Sequence, residues 1–224
     1  ENIAQDILFN LNFFTLPRIR AYKRIGPHNI DILSIIYGSL LGDSTLYNVK
    51  GNIRLRLEQK NKDYIYFLYN LFKNLGYTNT LPIINKRKNN NQTYYFYTYT
   101  FTSFINIYKD FYINNKKVIP DNIELYLTPL ALAIWIMDDG AVQKTGLTLS
   151  THCFTYSDIL RICNILTIKY NLKVIINKDG KTKDGLNNQY RIRIFQNSME
   201  NLINIVEPYM CPSMMYKLNK KIKN

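Results

Sequence analysis

Twice in this chain an apolar helical run goes straight into a carboxylate: Ile36-Tyr37-Gly38-Ser39-Leu40-Leu41-Gly42-Asp43, and Leu132-Ala133-Ile134-Trp135-Ile136-Met137-Asp138-Asp139-Gly140. The same kinds of element follow each run. Behind the first, Gly51-Asn52 turns a hairpin whose second strand alternates, with Ile53, Leu55 and Leu57 toward one face and Arg54, Arg56 and Glu58 toward the other. That period of two marks a sheet with one wet, basic face. Residues 62–75 then show helical spacing closed by Gly76, with strands near 81–86 and 93–101 and a helix over 103–112. Behind the second run come strands near Ala141 and Leu147, a helix over 156–170, strands over 172–178 and 189–195, and a helix over 198–209. The strand 189–195 again puts Gln189, Arg191 and Arg193 on one face and Tyr190, Ile192 and Ile194 on the other. Internal duplication is the simplest account. The predicted class is α+β, with two αββαββα units: an N-terminal arm 1–30, a first unit 31–113, a connector 114–127 containing Pro120, and a second unit 128–224.

Hydrophobic residues make up 46% of the 224, yet no window approaches the roughly 20 consecutive apolar residues of a membrane span, so this content is expected in a core. The excess of 29 Lys and Arg over 16 Asp and Glu, a net charge of +13, makes a polyanion the leading partner, and nucleic acid is the default. Cys153, Cys163 and Cys211 lack CxxC spacing and are odd in number, so they read as reduced thiols in small core sites. His28 and His152 are too few and too scattered for a histidine-rich metal site, which leaves oxygen ligands for any metal. Heavy use of Asn, Ile, Lys and Tyr, with Asn89, Asn90 and Asn91 in a row, points to an A/T-rich genome such as a fungal mitochondrial one. Residues 1–12 show neither an Arg-rich presequence nor a secretory signal, so a mitochondrial product would be made where it works or trimmed at its start.

An acid at a helix C-terminus meets the negative end of the helix dipole and is disfavoured there by roughly 0.3–1 kcal/mol unless a cation compensates. Asp43 and Asp139 both stand at such ends, and a divalent metal would supply the cation. Carboxylate and water ligands suit Mg²⁺, with Mn²⁺ or Ca²⁺ able to take the same sites. The competing explanation is a turn residue and an ordinary helix stop. A lysine stands at a matching distance beyond each acid, Lys117 at 74 residues after Asp43 and Lys217 at 78 after Asp139, where a cation beside a phosphate could stabilise charge in a transition state.

The second run resembles the nine-letter LAGLIDADG pattern at Leu132, Ala133, Ile136, Asp139 and Gly140, and the first keeps Gly38 and Asp43, with Leu40 a near match and Ser44 in place of the last glycine. The resemblance to two-motif LAGLIDADG homing endonucleases covers roughly residues 30–217. It implies that the motif helices pack at a pseudo-twofold axis, with Gly38, Gly42 and Ala133 permitting close approach, and that two sheets form a saddle over the DNA major groove. It implies metal ligation by Asp43 and Asp139, with the Gly42 and Asp138 carbonyls as further ligands, and active-site roles for Lys117 and Lys217. Gln59 and His152 are carried over as the polar residues near each site, with Glu58 a neighbouring candidate. The implied activity is metal-dependent cutting of both strands of a long site across the minor groove, with short 3′ overhangs, by a monomer.

On the sheets, Arg54, Arg56, Arg191 and Arg193 are candidates for reading bases, since arginine pairs bidentately with guanine, and Glu58 and Gln189 are further DNA-binding candidates. Lys86, Arg87, Lys88 and Lys173 are candidates for phosphates. The aromatic run Tyr94, Tyr95, Phe96, Tyr97 and Tyr99 reads as core and sheet cover in preference to a base-stacking platform. The rival function is an RNA-binding maturase that assists splicing of a group I intron, because a basic sheet face also suits folded RNA. A third is a DNA-binding protein without catalysis.

Overall fold

The protein is described by a computed structural model covering residues 23–24, 26–86, 92–182, 185 and 188–219; Arg87, Lys88 and most of the 1–30 arm lie outside the described residues. Helix α1 (Ile30–Leu41) starts where the Asn29 side chain accepts from Ile32 N at 2.9 Å, and the hairpin β1 (Thr45–Val49) and β2 (Asn52–Gln59) follows it. Helix α2 (Lys62–Asn74), strands β3 (Ile83–Lys86) and β4 (Gln92–Tyr97), and helix α3 (Phe104–Phe111) complete the first half. Helix α2 ends at Gly76, whose φ of +77° lets Tyr77 N reach back to Phe72 O at 2.8 Å and close the last turn.

The segment between the halves is itself folded. Strands β5 (Tyr112–Ile113) and β6 (Lys116–Lys117) turn through Asn114 and Asn115, and helix α4 (Ile123–Tyr126) follows, with Ile119, Ile123 and Leu127 buried.

The second half repeats the order: α5 (Pro129–Asp139), β7 (Gly140–Gln143), β8 (Gly146–Ser150), α6 (Tyr156–Tyr170), β9 (Val174–Lys181), β10 (Asn188–Phe195) and α7 (Met199–Val206). The helix expected over 198–209 is shorter because Pro208 lacks the N–H to continue it; 3-10 turns flank α7 at Gln196–Ser198 and Glu207–Tyr209. A last 3-10 stretch spans Pro212–Leu218.

The two four-stranded sheets are antiparallel with strand orders β1-β2-β4-β3 and β7-β8-β10-β9, so the duplication read from the sequence extends to topology. One face of each sheet is core: Ile53, Leu55, Leu57 and Phe96 in the first, Leu147, Leu149, Ile192 and Ile194 in the second are buried. Helices α1 and α5 are apolar all round and occupy the centre, where Ile36, Leu40, Leu132 and Trp135 are fully enclosed. Among the described residues no helix is long and apolar enough to cross a membrane.

Candidate active site and nucleic-acid face

The two motif helices lie side by side and point the same way. Near their starts Thr128 Oγ1, which also caps α5 by accepting from Ala131 N, donates to Ser34 Oγ at 2.8 Å. Midway, a Cβ on Gly38 would stand 2.4 Å from the Ala131 carbonyl oxygen, so the two backbones touch where only glycine fits. The residue that meets Gly38 is Ala131, and Ala133, expected to permit close approach, is also fully buried. At the ends, a Cβ on Gly42 would stand 2.5 Å from Asp138 Oδ2.

Because the helices are parallel, both negative dipole ends and both motif acids converge. Burial raises the Asp43 carboxyl above its usual range, while the Lys217 and Lys117 charges pull it down. Asp139 is pushed up to about 7 by burial and by the Asp43 charge, and the same two lysines oppose that shift. Asp138 is driven well up by burial and by Asp43.

The lysines act as C-caps. Lys117 Nζ donates to Gly42 O and Ser44 O, both at 3.0 Å, at the end of α1. Lys217 Nζ donates to Met137 O at 2.5 Å and Asp138 O at 2.9 Å at the end of α5. Neither helix has a basic residue in its own last turn, so these distant lysines satisfy the final carbonyls. Burial lowers the pKa of both ammonium groups and the neighbouring acids raise it. The Gly42 and Asp138 carbonyls, expected as metal ligands, thus accept from lysine here.

Gln59 is brought into the site: its Nε2 donates to Asp138 Oδ1 at 2.9 Å and favours the charged form of Asp43. Tyr64, not singled out in the sequence, is fully enclosed and its hydroxyl donates to the same Asp138 Oδ1 at 2.8 Å. Asp43, Gln59, Asp138 and Lys217 line a cleft of about 490 Å³ that is open to solvent.

His152 lies elsewhere, on the wet face of the second sheet, with Nε2 at 2.6 Å from Asp179, which also holds Arg191 at 3.2 Å. Cys153, expected in the core, is exposed. Cys163 and Cys211 are buried as expected.

Among the described residues no cluster of three or more His, Cys, Asp or Glu forms a ready-made metal cage. Two acids, main-chain carbonyls and an open cleft fit a hard divalent cation that takes one or two carboxylates and completes its shell with water and phosphate. They do not fit a soft metal that needs thiolate or imidazole.

The arginines project from the wet faces of both sheets. Arg54 lies over the Tyr97 ring at 3.7 Å, Arg56 over Tyr95 at 4.5 Å, and Arg193 over Phe195 at 4.9 Å. Phe96 is core, as the alternation requires, while Tyr95 and Tyr97 hold arginines in place. The Nε atoms of Arg54, Arg56, Arg191 and Arg193 are buried without a hydrogen-bond partner. Glu58 is locked to Arg56 at 2.6 Å and accepts from Thr93 Oγ1 at 2.5 Å. Gln189 sits at a bulge in β10, Lys86 is exposed at the end of β3, and Lys173 lines a separate cleft with Lys169 and Asn201.

Comparison with known proteins matches this geometry. The chain is 46% identical over 211 residues to the cytochrome b mRNA maturase bI2 of Saccharomyces cerevisiae, covering 88% of this chain and 49% of that protein, so it spans about half of that relative. It is 40% identical over 163 residues to the intron-encoded endonuclease ai4 of Dictyostelium discoideum, covering 69% of this chain and 99% of that protein. The homing endonuclease I-WcaI, solved bound to its DNA recognition sequence, superposes with a TM-score of 0.74 at 31% identity, covering 85% of this chain and 86% of that one. Residues 33–202 match the LAGLIDADG DNA endonuclease family, and the chain belongs to it.

Proposed function

We propose that this chain is a site-specific, divalent-metal-dependent DNA endonuclease that cuts both strands of a long duplex target and leaves short 3′ overhangs. The observation that carries this reading is the meeting of Asp43 and Asp139 at the paired ends of α1 and α5, each electrostatically coupled to both Lys117 and Lys217. In this reading the repeats are residues 31–113 and 128–224, joined by 114–127, and the protein works as a monomer.

Asp43 and Asp139 would hold the metal, with Mg²⁺ the proposed physiological ion. Bound there, a divalent ion would activate water and offset charge on the scissile phosphate. The chain's own residues do the rest. Lys117 and Lys217, fixed by the helix carbonyls, present positive charge to phosphate without having to reorganise. Gln59, its amide nitrogen engaged by acid, keeps its carbonyl oxygen to orient a water in the cleft. Arg54, Arg56, Arg191 and Arg193 reach bases, with Glu58, Gln189 and His152 in the same facing set; Lys86, Arg87, Lys88 and Lys173 meet phosphates. The names of the relatives support an intron-encoded product of an organelle, here assigned to the mitochondrion.

The test is incubation with a randomised duplex DNA library and Mg²⁺, followed by sequencing of cut ends. Specific double-strand cuts that vanish in Asp43→Asn/Asp139→Asn, with DNA binding retained, are expected. The 46% identity to a protein named as a maturase supports a second reading, binding of intron RNA, with or without DNA cutting. Tight binding to structured RNA with no cutting of any DNA would establish it over the first.

A further inference from the structure

The duplication is broken at one position that matters to the chemistry. The residue before the motif acid is Gly42 in the first half and Asp138 in the second. The Asp138 side chain does not serve its own half. It crosses to the first, where Oδ2 accepts from Asp43 N at 3.4 Å and Oδ1 accepts from Gln59 Nε2 at 2.9 Å and from Tyr64 Oη at 2.8 Å. Gly42 has no side chain to return the contact, and none would fit, since its Cβ would collide with the Asp138 carboxyl. The Asp138 carbonyl, by contrast, accepts from Lys217 at the end of its own helix.

Asp138 Oδ1 accepts from both Tyr64 Oη and the Gln59 NH₂ group, so the Gln59 carbonyl oxygen is not the atom bonded to this carboxyl. The Gln59 oxygen is then the atom left to face water in the cleft that Gln59, Asp43 and Asp138 line. The second half has no equivalent. Ladder register pairs Thr45, two residues after Asp43, with Arg56, and Ala141, two after Asp139, with Thr148. The counterpart of Gln59 is therefore Thr151, which is fully buried and donates to Tyr190 O.

We propose that Asp138 is a positioning residue for the opposite half: through its carboxyl it fixes Gln59 and the Asp43 main chain, so the two strand-cutting centres are chemically unequal and Asp138 serves one of them. This rests on the endonuclease reading above.

The experiment uses the duplex recovered from the library cut, labelled on either strand, in single-turnover cleavage with Mg²⁺. Wild type, Gln59→Ala, Asp138→Asn, Asp138→Ala and Tyr64→Phe are compared, with thermal melts to verify folding. Gln59→Ala identifies the dependent strand. Asp138→Ala is expected to slow that strand about tenfold or more and leave the other within about twofold, so that nicked duplex accumulates. Asp138→Asn, which cannot accept from all its donors, should show the same bias more weakly. If the Asp138 variants fail to fold, Tyr64→Phe, which removes a single donor, must show the bias. Equal slowing of both strands, or wild-type rates on both, overturns the inference while leaving the nuclease intact. Failure of the wild-type protein to cut any duplex removes the endonuclease reading itself, and this inference with it.

Discussion

Replacing Gly38 by alanine places a methyl group 2.4 Å from the Ala131 carbonyl oxygen, 2.9 Å from its Cα and 3.0 Å from its carbonyl carbon. All three atoms are backbone of α5, so no side chain can swing aside. Ordinary contact needs about 3.4 Å or more, and the helix pair has to part by about 1 Å. Every side chain around that contact, among them Ile36, Leu40, Leu132 and Ile134, is fully enclosed, so the movement opens gaps along the centre of the molecule. Overpacking of this kind costs about 1–3 kcal/mol, and alanine recovers about 1 kcal/mol of helix propensity. A net loss of up to about 2 kcal/mol is expected, read as a melting temperature lower by up to about 8 °C. Moving the helices apart also moves Asp43 from Asp139, so the rate of cutting should fall further than the stability loss explains. The neighbouring substitution Ser39→Ala is the control. Its hydroxyl is buried without a partner, and removing it should be neutral or stabilise by about 1 kcal/mol. Urea denaturation of the two variants beside wild type, with cleavage rates on the same samples, gives the answer. A Gly38→Ala protein as stable as Ser39→Ala would refute the backbone contact as the reason for glycine.

Millimolar Mg²⁺ or Ca²⁺ should raise the melting temperature of the wild-type protein and leave Asp43→Asn/Asp139→Asn unmoved; a site held at 100 times its dissociation constant adds about 2.7 kcal/mol, and equal shifts in both proteins would place the ion elsewhere. Arg54→Ala should relax base preference at one or two positions of the target and weaken binding by about 1–3 kcal/mol, whereas Lys86→Ala should weaken all sequences alike and flatten the salt dependence, both measured by binding titrations over a range of salt. Tyr97→Ala, which removes the ring under Arg54, should cost part of the same discrimination although Tyr97 itself names no base. Burial holds the His28 imidazole below its usual 6.5, with its ring nitrogens bonded to Tyr77 and Ser103. The unfolded chain takes up that proton near pH 6.5 and the folded one resists it, so stability is full above that pH and declines as pH falls through it. Melting curves from pH 7.5 to 5 should fall less steeply for His28→Gln, and parallel curves would count against the assignment.

The periodic features were legible because they are local. The alternation of Ile53, Leu55 and Leu57 with Arg54 and Arg56 fixes which face of β2 is wet, and the same pattern at 191–194 does so for β10. Asp43 and Asp139 stood out because an acid at a helix C-terminus is unfavourable, and the lysines because their spacing repeats. Contacts made between halves left no such trace. Ala131 meets Gly38 because the rotation of α5 about its axis is set by packing. Nothing in the sequence at Tyr64 announces that its hydroxyl reaches Asp138. His152 shows how sharp the limit is: Thr151 occupies the place of Gln59, and His152, in the turn just past β8, pairs with Asp179 instead.

The end of the helix pair is the one place where this apolar centre concentrates charge. Two helix C-termini and three carboxylates meet there, and each alone would weaken the fold. Lys117 and Lys217 offset part of this, but each is tethered to helix carbonyls that would be orphaned if it moved, so neither can swing over to pair fully with an acid. Burial, with the Asp43 charge added, pushes the Asp139 carboxyl up to about 7, and the two nearby ammonium groups only partly oppose that shift. In the endonuclease reading proposed above, lysines fixed on helix carbonyls and acids raised by burial are both conditions under which a divalent ion would be bound together with the phosphates it acts on.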